Sequence, residues 1–135
     1  MMKKIIRLLC ILFAVATANA QAAVVVIGHA GLGKLDKKTV KKIYTGKVIE
    51  VEGTHITPVN AVSGQLRDQF LHEFLNQNDE KYTAYWTVRR YIGKGVPPKE
   101  LPDTEEMIRF IQSTPGAIGY LEESEATQRV NVIAR

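Results

Sequence analysis

Cysteine is almost absent from this sequence, and Cys10 is the only one in 135 residues. It lies in the first twenty residues, MMKKIIRLLCILFAVATANA, which have the basic start, short apolar run and small-residue ending typical of a secretory signal peptide. We expect 1–20 to be cleaved as a signal peptide, leaving 21–135 as the exported domain. That domain has no cysteine, which excludes disulfides, thiol catalysis and cysteine metal ligands.

A long hydrophobic run is also missing. The apolar part of the first segment covers about 8–15, which is too short for a membrane-spanning helix. An uncleaved membrane anchor is the alternative interpretation of this segment. We expect an exported chain that is not embedded in the membrane after cleavage, with one domain built around one core.

The exported domain lacks a strong net charge of either sign. The full sequence has 18 Lys and Arg against 14 Asp and Glu, and three of the basic residues but none of the acids lie in 1–20. The remaining 15 basic and 14 acidic residues nearly cancel. The basic character therefore belongs mostly to the predicted signal peptide, and we expect no nucleic-acid partner.

A nucleotide phosphate-loop motif is nearly complete but lacks its last residue. The apolar run AAVVVI leads into GHAGLGKL, where the pattern G-x-x-x-x-G-K requires Ser or Thr at the position of Leu35. Asp36 then caps the next helix, and its carboxylate would take the anion position there. Nucleotide hydrolysis is therefore disfavoured. Gly28 and His29 remain weaker ligand-site candidates, because open α/β sheets bind ligands at the carboxyl ends of strands.

Catalytic and metal-binding patterns are missing as well. The three histidines have no metal-ligand spacing, and Ser63 has neither a G-x-S-x-G context nor an evident base. Aromatic residues at near-helical spacing are expected in the core instead of a ligand box: Tyr82, Tyr85, Trp86 and Tyr91. We expect no enzyme activity, no cofactor and no metal.

Apolar periodicity predicts alternating strands and helices, and hence an α/β domain with a mixed, partly parallel sheet. The predicted strands cover 22–28, 117–121 and 130–133, and 47–60 is predicted to form two short strands around a turn at Gly53-Thr54. The first of them is continuously apolar, as in a parallel sheet buried on both faces. The predicted helices begin after four cap residues, Asp36, Ser63, Asp79 and Asp103.

The segment ITPVNAVSGQLRDQF, 56–70, carries the main ligand-site prediction. A helix predicted to start at Ser63 has unpaired first-turn amides and a dipole that favour an anion. Ser63 offers a hydroxyl, Gly64 allows close approach of the backbone, and Arg67 could lean back toward an oxyanion. Asn60 and Gln65 add neutral donors. The sequence therefore predicts a phosphate or sulfate site.

A purely structural interpretation of the same residues stays open. In it Ser63 is an ordinary N-cap and Gly64 a small residue in the first turn. Arg67 would then pair with a nearby acid such as Asp68 or Glu73. Both interpretations place a helix start directly after a strand.

The order of four sequence blocks resembles the second lobe of periplasmic phosphate-binding proteins of ABC transporters: LDKKTVKKIYTGK, ITPVN, SGQLRDQF and TPGAIGYL. The segment YWTVRRYIGKGVPPKELPDTEEMIRFIQSTPGAIGYL looks like a short, one-lobe branch of this type II periplasmic binding protein superfamily. The resemblance covers nearly the whole exported chain. It implies one α/β lobe with a mixed, mostly parallel sheet flanked by helices, and a non-enzymatic role in binding phosphate or a similar oxyanion.

The chain departs from the family pattern at the site itself. The family has Arg, Asp and Gly before a Ser-Gly-Thr at the helix start, whereas here Ser63 and Gly64 match, Gln65 replaces Thr, and 60–62 lacks the Arg and the Asp. The family also closes two lobes on its ligand. Two functions follow from the resemblance. One is oxyanion binding, with a membrane permease or a second copy of the chain as partner. The other is a periplasmic protein-interaction module that has lost ligand binding.

Overall fold

The computed structural model describes residues 23–135, so the predicted signal peptide, 1–20, lies outside the described residues. The helices in this part are α1 (Lys37–Tyr44), α2 (Gln65–Phe70), α3 (Asp79–Tyr91) and α4 (Thr104–Ser113). A π-helical turn, Leu71–Leu75, continues α2, and a 3-10 turn covers Glu123–Glu125. Within 23–135, none of the helices has the length and apolarity to cross a bilayer.

A five-stranded sheet forms the centre of the fold. The strands are β1 (Val24–Gly28), β2 (Glu50–Val51), β3 (Thr54–His55), β4 (Thr57–Ala61), β5 (Lys99–Leu101), β6 (Ala117–Glu122) and β7 (Asn131–Ala134). The order in the sheet is β5-β4-β6-β1-β7, and β2 and β3 form a separate hairpin. Strand β4 is parallel to β5 and β6, whereas β1 is antiparallel to both of its neighbours. Four of the five strands therefore run in one direction, which confirms the mixed, mostly parallel sheet.

Strand β1 differs from the prediction in direction. All five of its residues are buried, as expected, but its pairing is antiparallel on both sides. Continuous burial indicates only that both faces of a strand are covered. Here α1, α2 and α3 cover one face through Val24 and Val26, and α4 covers the other through Val25 and Ile27.

The two apolar clusters on these faces draw their members from 24–134. The described part of the chain therefore contains an apolar core on both sides of its sheet. We expect this part to fold without the predicted signal peptide.

Two of the four predicted helix caps are confirmed. Asp36 accepts a hydrogen bond from the amide of Thr39 at 2.7 Å, and Asp103 accepts one from Glu106 at 2.9 Å. The prediction for α3 is wrong by one residue, because Asn78 is its cap and accepts from the Lys81 amide.

The prediction for α2 is also wrong. This helix begins at Gln65, its N-cap is Gly64, and no side chain accepts from its first-turn amides. The hydroxyl of Ser63 donates to the carboxylate of Asp79 instead.

The outer side of α3 carries more apolar surface than its sequence predicts. Tyr82 and Trp86 are buried and Tyr85 is partly buried, but Tyr91 is 92% exposed. The expectation of a core position for Tyr91 is therefore wrong, because helical spacing places it on the side of α3 that faces away from Tyr82 and Trp86.

Candidate functional site

The carboxyl ends of β4 and β5 meet at one edge of the sheet, and two helices start there. Ala61 pairs with Leu101 in the parallel ladder, and the amide of Val62 donates to the carbonyl of Leu101 at 3.2 Å. Helix α2 starts shortly after β4, and α4 starts shortly after β5. Parallel pairing thus brings two helix N-termini to the edge where α/β sheets bind ligands.

The start of α2 differs from the other helix starts in the described chain. Side chains cap α1, α3 and α4, whereas the first-turn amides of Gln65, Leu66 and Arg67 have no side-chain acceptor. Ser63, Gly64 and Gln65 are exposed. A depression of about 300 Å³ lies over this turn, bordered on its far side by Pro102, Asp103, Thr104, Met107 and Leu121. Uncapped amides beside an open depression form a surface that an anion can reach.

Ser63 and Arg67 converge on a carboxylate of the same chain. The Ser63 hydroxyl donates to Oδ2 of Asp79 at 2.7 Å, and Nε of Arg67 donates to Oδ1 at 2.8 Å. Asp79 is the first residue of α3, so this cluster ties the start of α3 to the start of α2. Two of the predicted oxyanion donors therefore hold an internal anion.

Arg67 has a second acidic partner and is almost fully enclosed. Its Nη1 donates to Oε1 of Glu100 at 2.6 Å and to the carbonyl of Ala61 at 3.3 Å, and its side chain is 5% exposed. Burial disfavours the charged guanidinium, but Asp79 and Glu100 outweigh it, so the pKa of Arg67 is raised. Arg67 does pair with acids, as the structural interpretation expects, but with Asp79 and Glu100 and not with Asp68 or Glu73. Sequence separation hid the true partners, because they are 12 and 33 residues away.

Asp79 is ionised more easily than a free aspartate. Partial burial opposes its charge, but hydrogen bonds from Ser63 and Arg67 and the charge of Arg67 lower its pKa. A carboxyl with a lowered folded-state pKa stabilises the fold above its unfolded pKa of about 3.9, and this contribution is lost as the pH falls through the folded pKa.

We therefore expect Asp79→Asn to lower the free energy of unfolding by about 1–2 kcal/mol at pH 7, because the amide carries no charge for Arg67. The difference between wild type and variant should shrink as the pH falls below about 4, because the Asp79 carboxylate then becomes protonated. Denaturant unfolding followed across this range measures it. A difference that stays constant down to pH 2 would contradict an ionised Asp79 as the source of the stabilisation.

Asn60 lies in a buried network of tyrosines at the end of β4. Its Nδ2 donates to the Tyr82 hydroxyl at 3.1 Å, and its Oδ1 accepts from the Tyr120 hydroxyl at 3.1 Å. The Tyr82 hydroxyl in turn donates to the carbonyl of Tyr44 at 3.0 Å. Burial raises the pKa of Tyr82 and Tyr120, so both remain neutral donors. These bonds fix the end of β4 from which the α2 turn starts.

The predicted residues thus divide between two depressions. Ser63, Gly64 and Gln65 line the one over the α2 turn, whereas Asn60 and Arg67 line a smaller one of about 130 Å³ beside α3. The residues that sequence reasoning missed are Asp79, interpreted as a helix cap, and Glu100.

Gly28 and His29 lie at the opposite edge of the sheet. Gly28 ends β1 beside Ile118, near the start of β6, and the amide of His29 donates to the carbonyl of Ala117. Because β1 runs against β4 and β6, its carboxyl end meets their amino ends. The structure therefore does not bring these two residues to the α2 site. Among the described residues, no group of three or more His, Cys, Asp and Glu could hold a metal ion.

Two solved structures with a similar fold are described as proteins of phosphate transport. A phosphate ABC transporter substrate-binding protein from Clostridium perfringens, solved with bound phosphate, matches with a TM-score of 0.63 and 21% identity, over 82% of this chain and 43% of its own. An ABC-type phosphate transport receptor from Vibrio cholerae matches with a TM-score of 0.56 and 10% identity, over 82% of this chain and 44% of its own. The chain has the fold of one lobe of a periplasmic binding protein. It spans less than half the length of either protein.

The assignment of this fold rests on structural similarity, since no protein-family model and no curated protein matches the sequence. At these identities the likeness establishes the fold of the lobe alone. The predicted resemblance to the periplasmic binding proteins is confirmed at that level.

Proposed function

We propose that this chain is an exported, non-enzymatic protein that binds phosphate or a similar oxyanion at the start of α2. The observation that carries the proposal is the uncapped, exposed first turn of that helix at the carboxyl edge of β4. Helix starts of this kind bind anions through their amides and dipole. The phosphate bound to the Clostridium perfringens protein of the same fold supports this class of ligand.

In this proposal each predicted residue has a distinct task. The amides of Gln65 and the residues after it bind the oxyanion, and Gly64 leaves the approach free of side chain. Ser63 supplies a hydroxyl once it turns from Asp79. Arg67 neutralises Asp79 beside the anion, and Asn60 anchors the end of β4.

A single lobe contacts an anion from one side only. The bound anion stays hydrated on its open side, so each donor contributes less than it would in a closed cleft. We therefore propose that affinity is weak in the isolated chain, with dissociation constants on the order of millimolar. A membrane permease or a second copy of the chain would complete the site.

Replacing Gln65 with proline tests the proposed amides directly. Proline suits the first position of a helix, and the extended backbone of Gly64 suits the residue before proline. The variant should keep its stability but lose one donor, weakening phosphate binding about tenfold. Calorimetric titration of 23–135 with phosphate and with sulfate, at fixed ionic strength, measures the change.

Lys37→Pro is the matched control, because Lys37 is the first residue of α1, whose start is already capped by Asp36. This variant should bind phosphate as the wild type does, although it has lost a positive charge. Equal weakening in both variants, or no heat with either anion in the wild type, would overturn the proposal.

The second candidate function is a periplasmic interaction module that has lost ligand binding. This function is favoured by the contacts of Asp79, whose carboxylate already accepts hydrogen bonds from Ser63 and Arg67. The Asp79→Asn variant separates the two functions. If Asp79 competes with a bound anion, its neutralisation should strengthen phosphate binding. If neither the wild type nor this variant binds phosphate or sulfate, the interaction module is the better assignment.

A further inference from the structure

Charge is distributed unevenly over the described chain. Segments 37–49 and 81–99 each carry five Lys or Arg and no acid, whereas the remainder of 23–135 has five basic and fourteen acidic residues. The cations of this near-neutral domain are therefore concentrated in two stretches of its sequence. The small net charge of the whole chain conceals this uneven distribution.

The two acid-free segments lie side by side in the fold. The Tyr85 hydroxyl donates to the carbonyl of Thr45 at 2.6 Å, and Nε1 of Trp86 donates to the carbonyl of Tyr44 at 3.1 Å. Gly46 packs so closely on Trp86 that a Cβ there would lie 2.9 Å from its ring. We call the exposed side chains of 37–49 and 81–96 the basic face. Lys99 lies outside it, because its ammonium packs over the Phe110 ring of α4 at 5.6 Å.

The basic face also carries most of the exposed apolar side chains. Large apolar residues there have exposed fractions between 55% and 92%: Ile49, Val88, Tyr91, Ile92 and Val96. Elsewhere in the described chain Val62 is the other exposed large apolar residue, at 43%. Val88, Tyr91 and Ile92 follow the i, i+3, i+4 spacing that places side chains on one side of a helix. That side faces away from the core side of Tyr82 and Trp86.

The loop after α3 is held rigidly against the helix. The amide of Lys94 donates to the carbonyl of Arg89 at 2.8 Å, and Nη2 of Arg89 donates back to the carbonyl of Lys94 at 3.2 Å. The Arg89 guanidinium lies 5.5 Å from the ring centres of both Tyr85 and Trp86. These contacts fix Lys94 against α3, so that presenting it carries no entropy cost of ordering a loose loop.

We propose that the basic face binds the surface of an anionic lipid bilayer. A partner of this face must offer apolar contact to its aliphatic and aromatic side chains. It must also offer negative charge to its cations. A nucleic acid would supply charge but no contact for Val88 and Ile92, and a neutral apolar surface would leave the cations unpaired. The interface of an anionic bilayer supplies acyl chains below a layer of negative headgroups. Tyrosine is suited to that boundary, because one end of its ring is apolar and the other polar.

Vesicle flotation tests this proposal with 23–135, which contains the apolar core and omits the apolar run of the predicted signal peptide. Vesicles of phosphatidylcholine alone are compared with vesicles of equal parts phosphatidylcholine and phosphatidylglycerol. We expect binding to the anionic vesicles only, weakened by salt because surface charges are screened. The Arg90→Gln/Lys94→Gln and Tyr91→Ser/Ile92→Ser variants should each bind about tenfold more weakly.

The matched controls remove cations and an apolar side chain at positions outside the basic face. Arg109→Gln/Arg129→Gln removes two exposed cations, and Val62→Ser removes the exposed valine at 43%. Both should bind the anionic vesicles like the wild type, and circular dichroism should show that every variant is folded. Equal losses in the two charge-removal variants would indicate nonspecific attraction and overturn the proposal. So would the absence of vesicle binding, whether or not the same face binds an acidic polypeptide such as polyglutamate.

Discussion

Replacing Arg67 with methionine is expected to lower the free energy of unfolding by about 2–3 kcal/mol. The side chain is 5% exposed and joins the start of α3 to β5 through Asp79 and Glu100. Methionine keeps much of the packing volume but leaves two carboxylates without their cation. The loss stays below the larger values known for buried pairs, because Asp79 is 26% and Glu100 52% exposed and both can regain water. Chemical denaturation at pH 7 measures it.

Arg109→Met is the matched control for this prediction. Arg109 also pairs with an acid, Glu106, but its side chain is 67% exposed, so its removal should change stability by less than about 0.5 kcal/mol. Similar losses in the two variants would contradict the structural role of Arg67. Phosphate titration of the folded Arg67→Met variant then shows separately whether the neutralising charge is needed for the proposed anion site.

Replacing Gly116 with alanine is expected to destabilise the fold by about 3 kcal/mol or more. Gly116 has φ of +79°, and a Cβ there would fall on the carbonyl oxygen of His55. Its own carbonyl accepts from the amide of Thr57 at 2.9 Å, at the point where β4 and β6 begin to pair. Relief of the clash would separate these two strands, so both the clash and the lost pairing contribute.

Gly93→Ala isolates the contribution of backbone conformation. Gly93 has a similar φ of +74°, but nothing lies within 4 Å of the position of an added Cβ. Its replacement should cost about 1 kcal/mol, which is the usual penalty for an L residue in this conformation. Thermal unfolding of both variants gives the comparison. A Gly116 variant no less stable than the Gly93 variant would show that the contact with His55 is unimportant.

The elements of the fold were largely predictable because their signals are local. Asp36 and Asp103 lie three residues before the amides that they cap, so the cap and its partner are visible in one short window. Asn78 and Asp79 are adjacent and both suitable caps, and only the path of the chain decided that Asn78 caps α3 while Asp79 turns to Arg67. The direction of β1 was not predictable either, since a strand covered on both faces has the same pattern in either direction.

The candidate site was predictable in its location but not in its contacts. The strand, the turn and the small residues 60–65 are contiguous in sequence, and they indicated the start of α2. Glu100, by contrast, reaches Arg67 only because β5 pairs with β4. The basic face was hidden for the same reason, since its two segments are separated by more than thirty residues and meet through Tyr85 and Trp86.

The sequence by itself determined the alternation of strands and helices, two of the helix starts and the resemblance to a periplasmic binding protein lobe, because each depends on neighbouring residues. The tertiary structure determined which charged and polar groups interact with one another. It buried Arg67 between two carboxylates, left the first turn of α2 uncapped, and brought two distant cation-rich segments into contact through Tyr85 and Trp86. Electrostatic interactions depend on distance in space, and chain folding alone sets that distance.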